Sequence, residues 1–409
     1  MRYVIIGNSA AGIGAVEGIR QRDRQGEIIL ITHEAHHTYS RPLISYLLLG
    51  KVTEETMRYR DENFYAANNC TLLRSCTATA IDAEAKCVLL SGGGSVPYDK
   101  LLVAAGSSAF VPPIEGLSAV KNAWSFMSLD DARRVDAALG RDARVLIIGA
   151  GLIGLKCAEG ILDRAASVTI LDLQPNILSS ILDAEGARLV QNHLEGRGIQ
   201  FRLSCGVRKF EDTLAVLDTG DTLPFEILIL AMGVRPNTAL LRGIADIDKG
   251  IVINERSETS APDIYAAGDC TQTMDISSGQ SKIMALLPNA YMQGECAGMN
   301  MAGGEANFAR AIPMNAIGFF GLHIITAGNY TGDVYAHTEG GNYKRLFHSD
   351  NALNGYILIG NVDKAGIYTS LIRERTPLST LDFALICEKP GLIAFTREDR
   401  KVKLGGGVQ

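Results

Sequence analysis

The chain has 409 residues, 47% hydrophobic and 21% charged, with a net charge of −6 at neutral pH. That length supports about two or three domains, the composition is that of a globular protein, and the acid excess offers no basic surface for nucleic acid. No apolar run reaches the roughly 18 residues of a bilayer span, and a strand starting at residue 2 leaves no room for a signal peptide, so a cytoplasmic protein off the membrane is expected.

The first strand, Arg2 to Ile6, runs into Gly7-Asn8-Ser9-Ala10-Ala11-Gly12 and a small-residue helix. Such a turn lets backbone N–H groups approach a pyrophosphate, whose charge the helix N-terminus favours. Ser9 stands where the second glycine of a G-x-G-x-x-G pattern belongs. The helix ends in Arg20 to Gly26, and Glu27 to Thr32 is the second strand. Glu34 then lies roughly 20 residues beyond Gly12, where a carboxylate binds ribose hydroxyls. A solvated loop acid is the alternative, and His33 competes for the position. His33, His36 and His37 lack the carboxylate or cysteine companions of a metal site, so no metal is expected. Eight scattered cysteines without a Cys-x-x-Cys read as buried reduced thiols.

Arg41-Pro42-Leu43-Ile44-Ser45 opens an apolar helix to Leu49. Short strands follow, turning at Gly92-Gly93-Gly94. Tyr98 to Ser107 is a buried strand ending in Ala104-Ala105-Gly106, residues small enough for a ligand to approach the backbone. Val111-Pro112-Pro113 reads as a linker.

After a helix over Leu129 to Leu139, a strand from Ala143 to Ile148 meets Gly149-Ala150-Gly151-Leu152-Ile153-Gly154, a complete G-x-G-x-x-G. The next strand, Val168 to Leu171, ends at Asp172. An acid there accepts from the adenosine ribose hydroxyls and repels a 2′-phosphate. No Arg or Lys lies between Leu173 and Ile181, which argues for NAD over NADP. The unit closes at Phe225 to Pro236, through Gly233. Later, Asp263 to Cys270 is a strand leading into Gly268-Asp269. From Ala306 the pattern is of hairpins, Tyr343 to Phe347 against Tyr356 to Gly360, with a helix over Ala365 to Arg373 and a frayed tail from Gly405. The expected fold is α/β, two Rossmann-like dinucleotide-binding domains with one inserted in the other, plus a C-terminal α+β interface domain. The expected boundaries are 1–112 with 239–305, then 113–238, then 306–409.

The order of these motifs resembles the two-dinucleotide flavoproteins related to pyridine nucleotide–disulfide oxidoreductases. The stretches that carry it are the two glycine loops, Ala104-Ala105-Gly106-Ser107, Gly233-x-Arg235-Pro236-Asn237 and Tyr265-Ala266-Ala267-Gly268-Asp269. The resemblance implies FAD at Gly7, Ser9, Ala10, Ala11, Gly12, Glu34, Arg41, Pro42, Ala105, Gly106 and Asp269, with Pro288-Asn289-Ala290 opening a helix toward the flavin pyrimidine. It implies NAD(H) at Gly149, Gly151, Leu152, Ile153, Gly154, Asp172 and Gly233.

Arg41 to Ser45 is similar to the rubredoxin and ferredoxin reductase branch, and Pro42, Ser45 and Lys156 are the residues it places at the reaction centre. Disulfide and peroxide reductases put a redox cysteine in this region; here there is none from Met1 to Asn69. Members of the branch carry Lys after the Ser and Glu on the second glycine-loop helix. Here Tyr46 follows Ser45 and Lys156 stands at the Glu position, with Glu159 as a partner or as half of a surface pair. The chain is also similar to NADH-oxidising flavoprotein subunits of anaerobes, of the phenylglyoxylate dehydrogenase or carbon monoxide dehydrogenase type. The implied activity is electron transfer between NAD(H) and an iron–sulfur or rubredoxin/ferredoxin-type partner through FAD. NADH oxidase activity and an NADH-sensing flavoprotein scaffold are the alternatives. Met314 to Leu322 is apolar enough for a homodimer interface or for domain core.

Overall fold

The computed structural model describes residues 1–398 and 400, so the tail from Gly405 lies outside the described residues. In chain order the elements that position the site are β1 (Arg2–Ile6), α1 (Ala10–Arg20), β2 (Glu27–Ile31), α2 (Ile44–Leu48), β3 (Cys70–Leu73), β4 (Lys100–Val103), β5 (Ala123–Ser125) and α3 (Leu129–Ala138). Then come β6 (Arg144–Ile148), α4 (Leu152–Ile161), β7 (Ser167–Asp172), α5 (Ala184–Glu195), β8 (Gln200–Leu203), β9 (Ile227–Leu230), β10 (Ile264–Ala266) and α6 (Leu287–Met301). The apolar stretch after Arg41 starts as a 3₁₀ turn, Arg41–Leu43, because Pro42 has no N–H to give, and becomes helical at Ile44.

Two parallel five-stranded sheets result, ordered β10-β4-β1-β2-β3 and β8-β7-β6-β9-β5. Val4 pairs with Ile29 and Leu101; in the second sheet Leu146 pairs with Thr169 and Leu228. Both central strands are aliphatic on each face, as parallel strands covered on both sides must be. Each makes the same closures: Gly7 N–H donates to Ile31 O and Gly149 N–H to Leu171 O, while Ala104 N–H donates to Ile6 O and Ala231 N–H to Ile148 O, all at 2.8 to 2.9 Å.

Helices α1 and α6 pack backbone to backbone. Gly14 and Gly18 of α1 lie against Tyr291 O and Glu295 O, and Gly294 and Gly298 of α6 against Ala11 O and Ala15 O. A Cβ at any of the four would sit within 2.0 to 2.4 Å of those oxygens. Over this contact Arg60 makes two bonds to Glu17 (2.7 and 2.9 Å), which also accepts from Tyr291 Oη at 2.6 Å.

The chain divides into two compact units. One holds Met1–Ser180, Gln191–Thr273 and Lys282–Ala309, hence both parallel sheets. The other holds Ile181–Val190, Met274–Ser281 and the described residues from Arg310 onward. In this second unit β11 (Met314–Phe319), β12 (Leu322–Gly328), β13 (Asp333–Glu339), β14 (Asn342–Ser349) and β15 (Ala352–Ile359) form an antiparallel sheet ordered β11-β12-β15-β14-β13, followed by helix α7 (Ala365–Arg373). The β14–β15 hairpin pairs Tyr343 with Ile359 and Phe347 with Gly355. Central strand β15 is buried at every residue, and Tyr356 and Tyr368 close the core under α7. Met314–Phe319 is an edge strand, half-buried for most of its length. No helix among the described residues is long and apolar enough to cross a membrane.

Candidate functional site

The two glycine loops are near copies. Gly7 has φ +118° and Gly149 φ +114°, a region open to glycine and strained for other residues. A Cβ at Gly7 would lie 2.1 Å from Ala104 O, and one at Gly149 2.2 Å from Ala231 O. Gly12 and Gly154 close each loop, with a Cβ falling 1.9 and 2.0 Å from Gly7 O and Gly149 O. The middle position differs. Ser9 and Gly151 are both N-cap residues in extended conformation (φ −103° and −83°), and a Cβ at Gly151 would meet nothing within 4 Å. Serine therefore enters the first loop without strain.

At the two loops and the start of α6, helices α1 (after Ser9), α4 (after Gly151) and α6 (after Leu286) begin without a side-chain cap and without an acid in the first turn, as α2 and α7 also do. Helix α3 shows the opposite arrangement, a full capping box between Ser128 and Asp131. Open N–H groups and an unneutralised positive helix end suit an anionic group.

Around the first loop the FAD candidates converge. Arg41 Nε donates to Ser9 Oγ (3.3 Å), Nη1 to Tyr39 Oη and Met127 O (both 3.2 Å), and Nη2 to Glu34 Oε1 (2.9 Å). Tyr39 Oη also donates to Glu34 and accepts from Leu129 N–H. Glu34 is therefore no solvated loop acid: one oxygen is held by Arg41 and Tyr39, and its side chain is 13% exposed. Burial pushes the Tyr39 hydroxyl up to about 12. Desolvation pulls Arg41 down, but Tyr39, Glu34 and Asp269 outweigh it and hold the guanidinium above its ordinary value.

Asp269 accepts from Ser107 Oγ at 3.2 Å. Burial raises its carboxyl, with Ser107 and Arg41 opposing the rise. Asn237 fixes the adjacent small-residue strand end, donating from Nδ2 to Ala105 O and from its backbone to Gly106 O, both 2.9 Å. Gly268 N–H donates to Gln293 Oε1 on α6 (2.8 Å), and Gly268 lies against Ala11 and Ala290. The first loop, the Gly-Asp segment and the start of α6 thus form one cradle, in which Pro42 and Pro288 are exposed and Asn289 and Ala290 buried. A partly buried carboxylate, an arginine on the glycine loop and two uncapped helices fit FAD.

In the second loop, Asp172 accepts from Ala150 N–H (2.6 Å) and Gln174 N–H (2.8 Å). Each carboxylate oxygen keeps a second acceptor site, so ribose binding stays open to it. Leu152 and Ile153 form the first turn of α4. Gly233, φ +96°, follows the strand that backs Gly149, and its carbonyl accepts from Phe110 N–H. These residues fit NAD(H).

Two expectations change at the seam between the loops. Ser45 is buried and its hydroxyl donates to Pro42 O (3.3 Å), so it shapes the Pro42 turn and offers no open hydroxyl. Lys156 and Glu159 are not a surface pair: they form an ion pair whose side chains are 17% and 8% exposed, and the ammonium stands 4.5 Å from the Tyr46 ring centroid. The two residues that depart from the branch pattern therefore meet each other. Sequence reasoning did not reach Tyr39, Gln293 or the four packing glycines, though Gly14/Gly18 and Gly294/Gly298 each show the i, i+4 spacing of one helix face.

Six of the eight cysteines carry thiols that burial makes harder to ionise. Burial pushes Cys70 and Cys270 up to about 12 and raises Cys157, Cys205, Cys296 and Cys387 as well, whereas reactive cysteines are lowered. His36 meets Asp130 at 2.8 Å and His37 lies 3.1 Å from Thr38 O; among the described residues no group of three or more His, Cys, Asp or Glu is arranged to hold a metal.

The family model for pyridine nucleotide-disulphide oxidoreductases matches residues 1–294. The chain belongs to that family. As a pyridine nucleotide-disulphide oxidoreductase family member it is an oxidoreductase that uses FAD and NAD(H). It is 32% identical over 394 residues to the NADH-dependent phenylglyoxylate dehydrogenase subunit epsilon of Aromatoleum evansii, covering 93% of each chain. It is 33% identical over 321 residues to an NADH oxidase of Methanocaldococcus jannaschii, covering 75% of this chain and 71% of that protein. The reductase fold of a covalent putidaredoxin reductase–putidaredoxin complex superposes with a TM-score of 0.88 over 99% of each chain, at 23% identity.

Proposed function

We propose that this family member is an FAD-dependent NADH:acceptor oxidoreductase that passes electrons between NAD(H) and an iron–sulfur or rubredoxin/ferredoxin-type protein, without a redox disulfide. The observation that carries the reading is the matched pair of glycine turns, one beside Arg41 and Asp269 and the other beside Asp172, in a chain with no cysteine before Cys70. Bound FAD supplies hydride acceptance from NADH and release of electrons singly. The protein supplies position. Arg41 and the start of α1 hold the pyrophosphate, Glu34 and Asp269 accept from FAD hydroxyls, and Pro42 with the start of α6 shapes the flavin site. Asp172 selects NADH by accepting from its adenosine ribose. Lys156, on the helix that opens at the second loop, would lie toward a bound nicotinamide. Hydride transfer itself requires no proton donor from the protein.

The same reading assigns 1–112 with 239–305 to FAD, 113–238 to NAD(H) and 306–409 to an interface that pairs two copies. The acceptor is external, a subunit of a larger complex in an anaerobe's cytoplasm. Its support is the likeness to the Aromatoleum subunit and the absence of a cluster-ligand set among the described residues. A second reading, direct reduction of oxygen by the flavin, is favoured by the Methanocaldococcus relative. Anaerobic mixing of the holoprotein with NADH tests the first: the flavin bleaches rapidly, and a flavin that stays oxidised or bleaches only slowly refutes it. Turnover with oxygen alone as fast as with one-electron dyes selects the second reading. Slow bleaching, with NADH changing the assembly state, selects a sensing scaffold.

A further inference from the structure

The first turn of α3 is capped from two sources. Ser128 is the local one: its Oγ accepts from Asp131 N–H at 3.1 Å. Asp131 in turn accepts from Ser125 Oγ, Met127 N–H and Ser128 N–H at 2.9 to 3.1 Å, closing residues 125–131 into a turn at the carboxyl end of β5. The N–H of Leu129, the first residue of the helix, finds its partner elsewhere. It donates to Tyr39 Oη at 3.0 Å, 90 positions away on the loop that carries Glu34 and Arg41. Tyr39 is 7% and Leu129 4% exposed, so without the hydroxyl this N–H is left buried and unpaired. The hydroxyl is used to capacity: its proton goes to Glu34 Oε1 (3.2 Å), and its two lone pairs accept from Leu129 N–H and Arg41 Nη1 (3.2 Å). Arg41 Nη1 adds a bond to Met127 O, also 3.2 Å. Two further ties of α3, His36 with Asp130 and Arg133 with Glu54, each have at least one partner in the open, where ion pairs add little.

Through Glu34 and Arg41, Tyr39 belongs to the cradle on the first sheet; through Leu129 it holds the turn that follows the edge strand of the second sheet, the sheet whose central strand β6 carries the Gly149 loop. We propose that Tyr39 is a positioning residue for hydride transfer, fixing the part of the chain built on the second glycine loop against the FAD cradle without touching either cofactor. The role rests on the two-cofactor reading above. The step moves one hydride from NADH, which leaves as NAD⁺, to the bound flavin, which is thereby reduced. The Tyr39 hydroxyl has no bonding capacity left for a ligand, so it acts on the geometry between the cofactors and not on the affinity for either. A misplacement of about 1 Å costs such a step about 100-fold. Arg41 still reaches Met127 O, and Gly160 of α4 still packs on Ser45 O, when the hydroxyl is lost, which holds the loss to about tenfold.

The test is anaerobic stopped-flow mixing of the holoprotein with NADH over a range of concentrations, which separates the limiting rate of flavin bleaching from the Kd for NADH. Tyr39→Phe keeps the ring and deletes the hydroxyl, and Arg41 still holds Glu34 at 2.9 Å. It lowers the limiting rate about tenfold, with flavin content and the NADH Kd within about twofold of wild type. Leu129→Pro removes the other end of the same bond. Proline is accommodated at a first helical position, and Ser128 before it is already extended (φ −121°, ψ 164°). It slows bleaching too, and the double variant is within about twofold of the slower single variant, since all three lack one bond. A limiting rate for Tyr39→Phe within about twofold of wild type overturns the proposal, as do single losses that multiply in the double variant. So does a variant that loses flavin or NADH affinity while its remaining holoprotein bleaches at the wild-type limiting rate, the mark of a merely structural role. If Tyr39→Phe holds no flavin, Leu129→Pro decides by the same two numbers. Failure of the two-cofactor reading looks different: wild-type flavin then stays oxidised in NADH, and the proposal falls with it.

Discussion

Replacing Gly294 with alanine puts a methyl group 2.0 Å from the carbonyl oxygen of Ala11. Relief to 3.4 Å, an ordinary contact, needs the two helices to part by about 1.4 Å. Neither side has a flexible side-chain end that can yield, since the opposing atom is backbone. The same separation unseats Gly14, Gly18 and Gly298 from their carbonyls. Overpacking of this kind costs about 1–3 kcal/mol, and the rigid partner places Gly294→Ala near the upper end. Alanine's higher helix propensity returns about 1 kcal/mol, leaving a net loss of about 2 kcal/mol. Ala11 belongs to the first loop and Gln293 holds Gly268, so the displacement also reaches the FAD cradle. Thermal unfolding and flavin absorbance after gel filtration read the two effects: a lower Tm and a reduced flavin content. Gly366→Ala is the control. It lies in helix α7, its Cβ meets nothing within 4 Å, and it gains up to about 1 kcal/mol. Gly294→Ala as stable and as flavin-replete as wild type would refute the reasoning.

Arg41→Ala strands Glu34 in a half-buried place and frees Ser9, Tyr39 and Met127 together; FAD affinity, measured by fluorescence of released flavin, falls by about 100-fold, equivalent to about 3 kcal/mol for a charged network. Asp172→Ala raises the Kd for NADH at least about tenfold, from the loss of charge-assisted bonds, with flavin content unchanged; a protein that already prefers NADPH contradicts the role given to Asp172. Asp269→Asn stabilises the flavin-free protein at neutral pH while weakening FAD binding. The sign follows from the raised carboxyl: its folded value lies above the unfolded one, so its penalty is fully present above the folded value and is relieved as pH falls through it toward the unfolded carboxylate range. Unfolding midpoints of variant and wild type therefore converge in acid, and a gain that persists unchanged there contradicts it.

The parallel sheets and both loops were legible in the sequence because each rests on short-range rules: aliphatic strands, glycines where φ is positive, an acid after the second strand. Ser9 looked like a blemish only because a letter pattern does not distinguish the glycines that need positive φ, Gly7 and Gly149, from the middle position, which is extended in both loops. The Arg41–Glu34–Tyr39 network was half legible; Arg41 and Glu34 were named, but not that they face each other, since their meeting depends on a loop with no periodicity. Glu159 looked like a surface partner because i, i+3 spacing tells which residues are neighbours and not whether α2 covers them. The α1–α6 contact joins residues nearly 300 positions apart, and no local signal announces such a pairing.

The uncapped starts of α1, α4 and α6 bear on how the protein exists in a cell. A helix whose first N–H groups wait for a ligand is finished only when the ligand arrives, so FAD and NAD(H) act as removable parts of the fold. Mass action then ties the folded population to cofactor supply: a nucleotide at 100 times its Kd adds about 2.7 kcal/mol to stability. A shortage of flavin would lower the amount of protein as well as its activity, and proteolysis of the flavin-free chain would make its abundance follow the cell's cofactor pool.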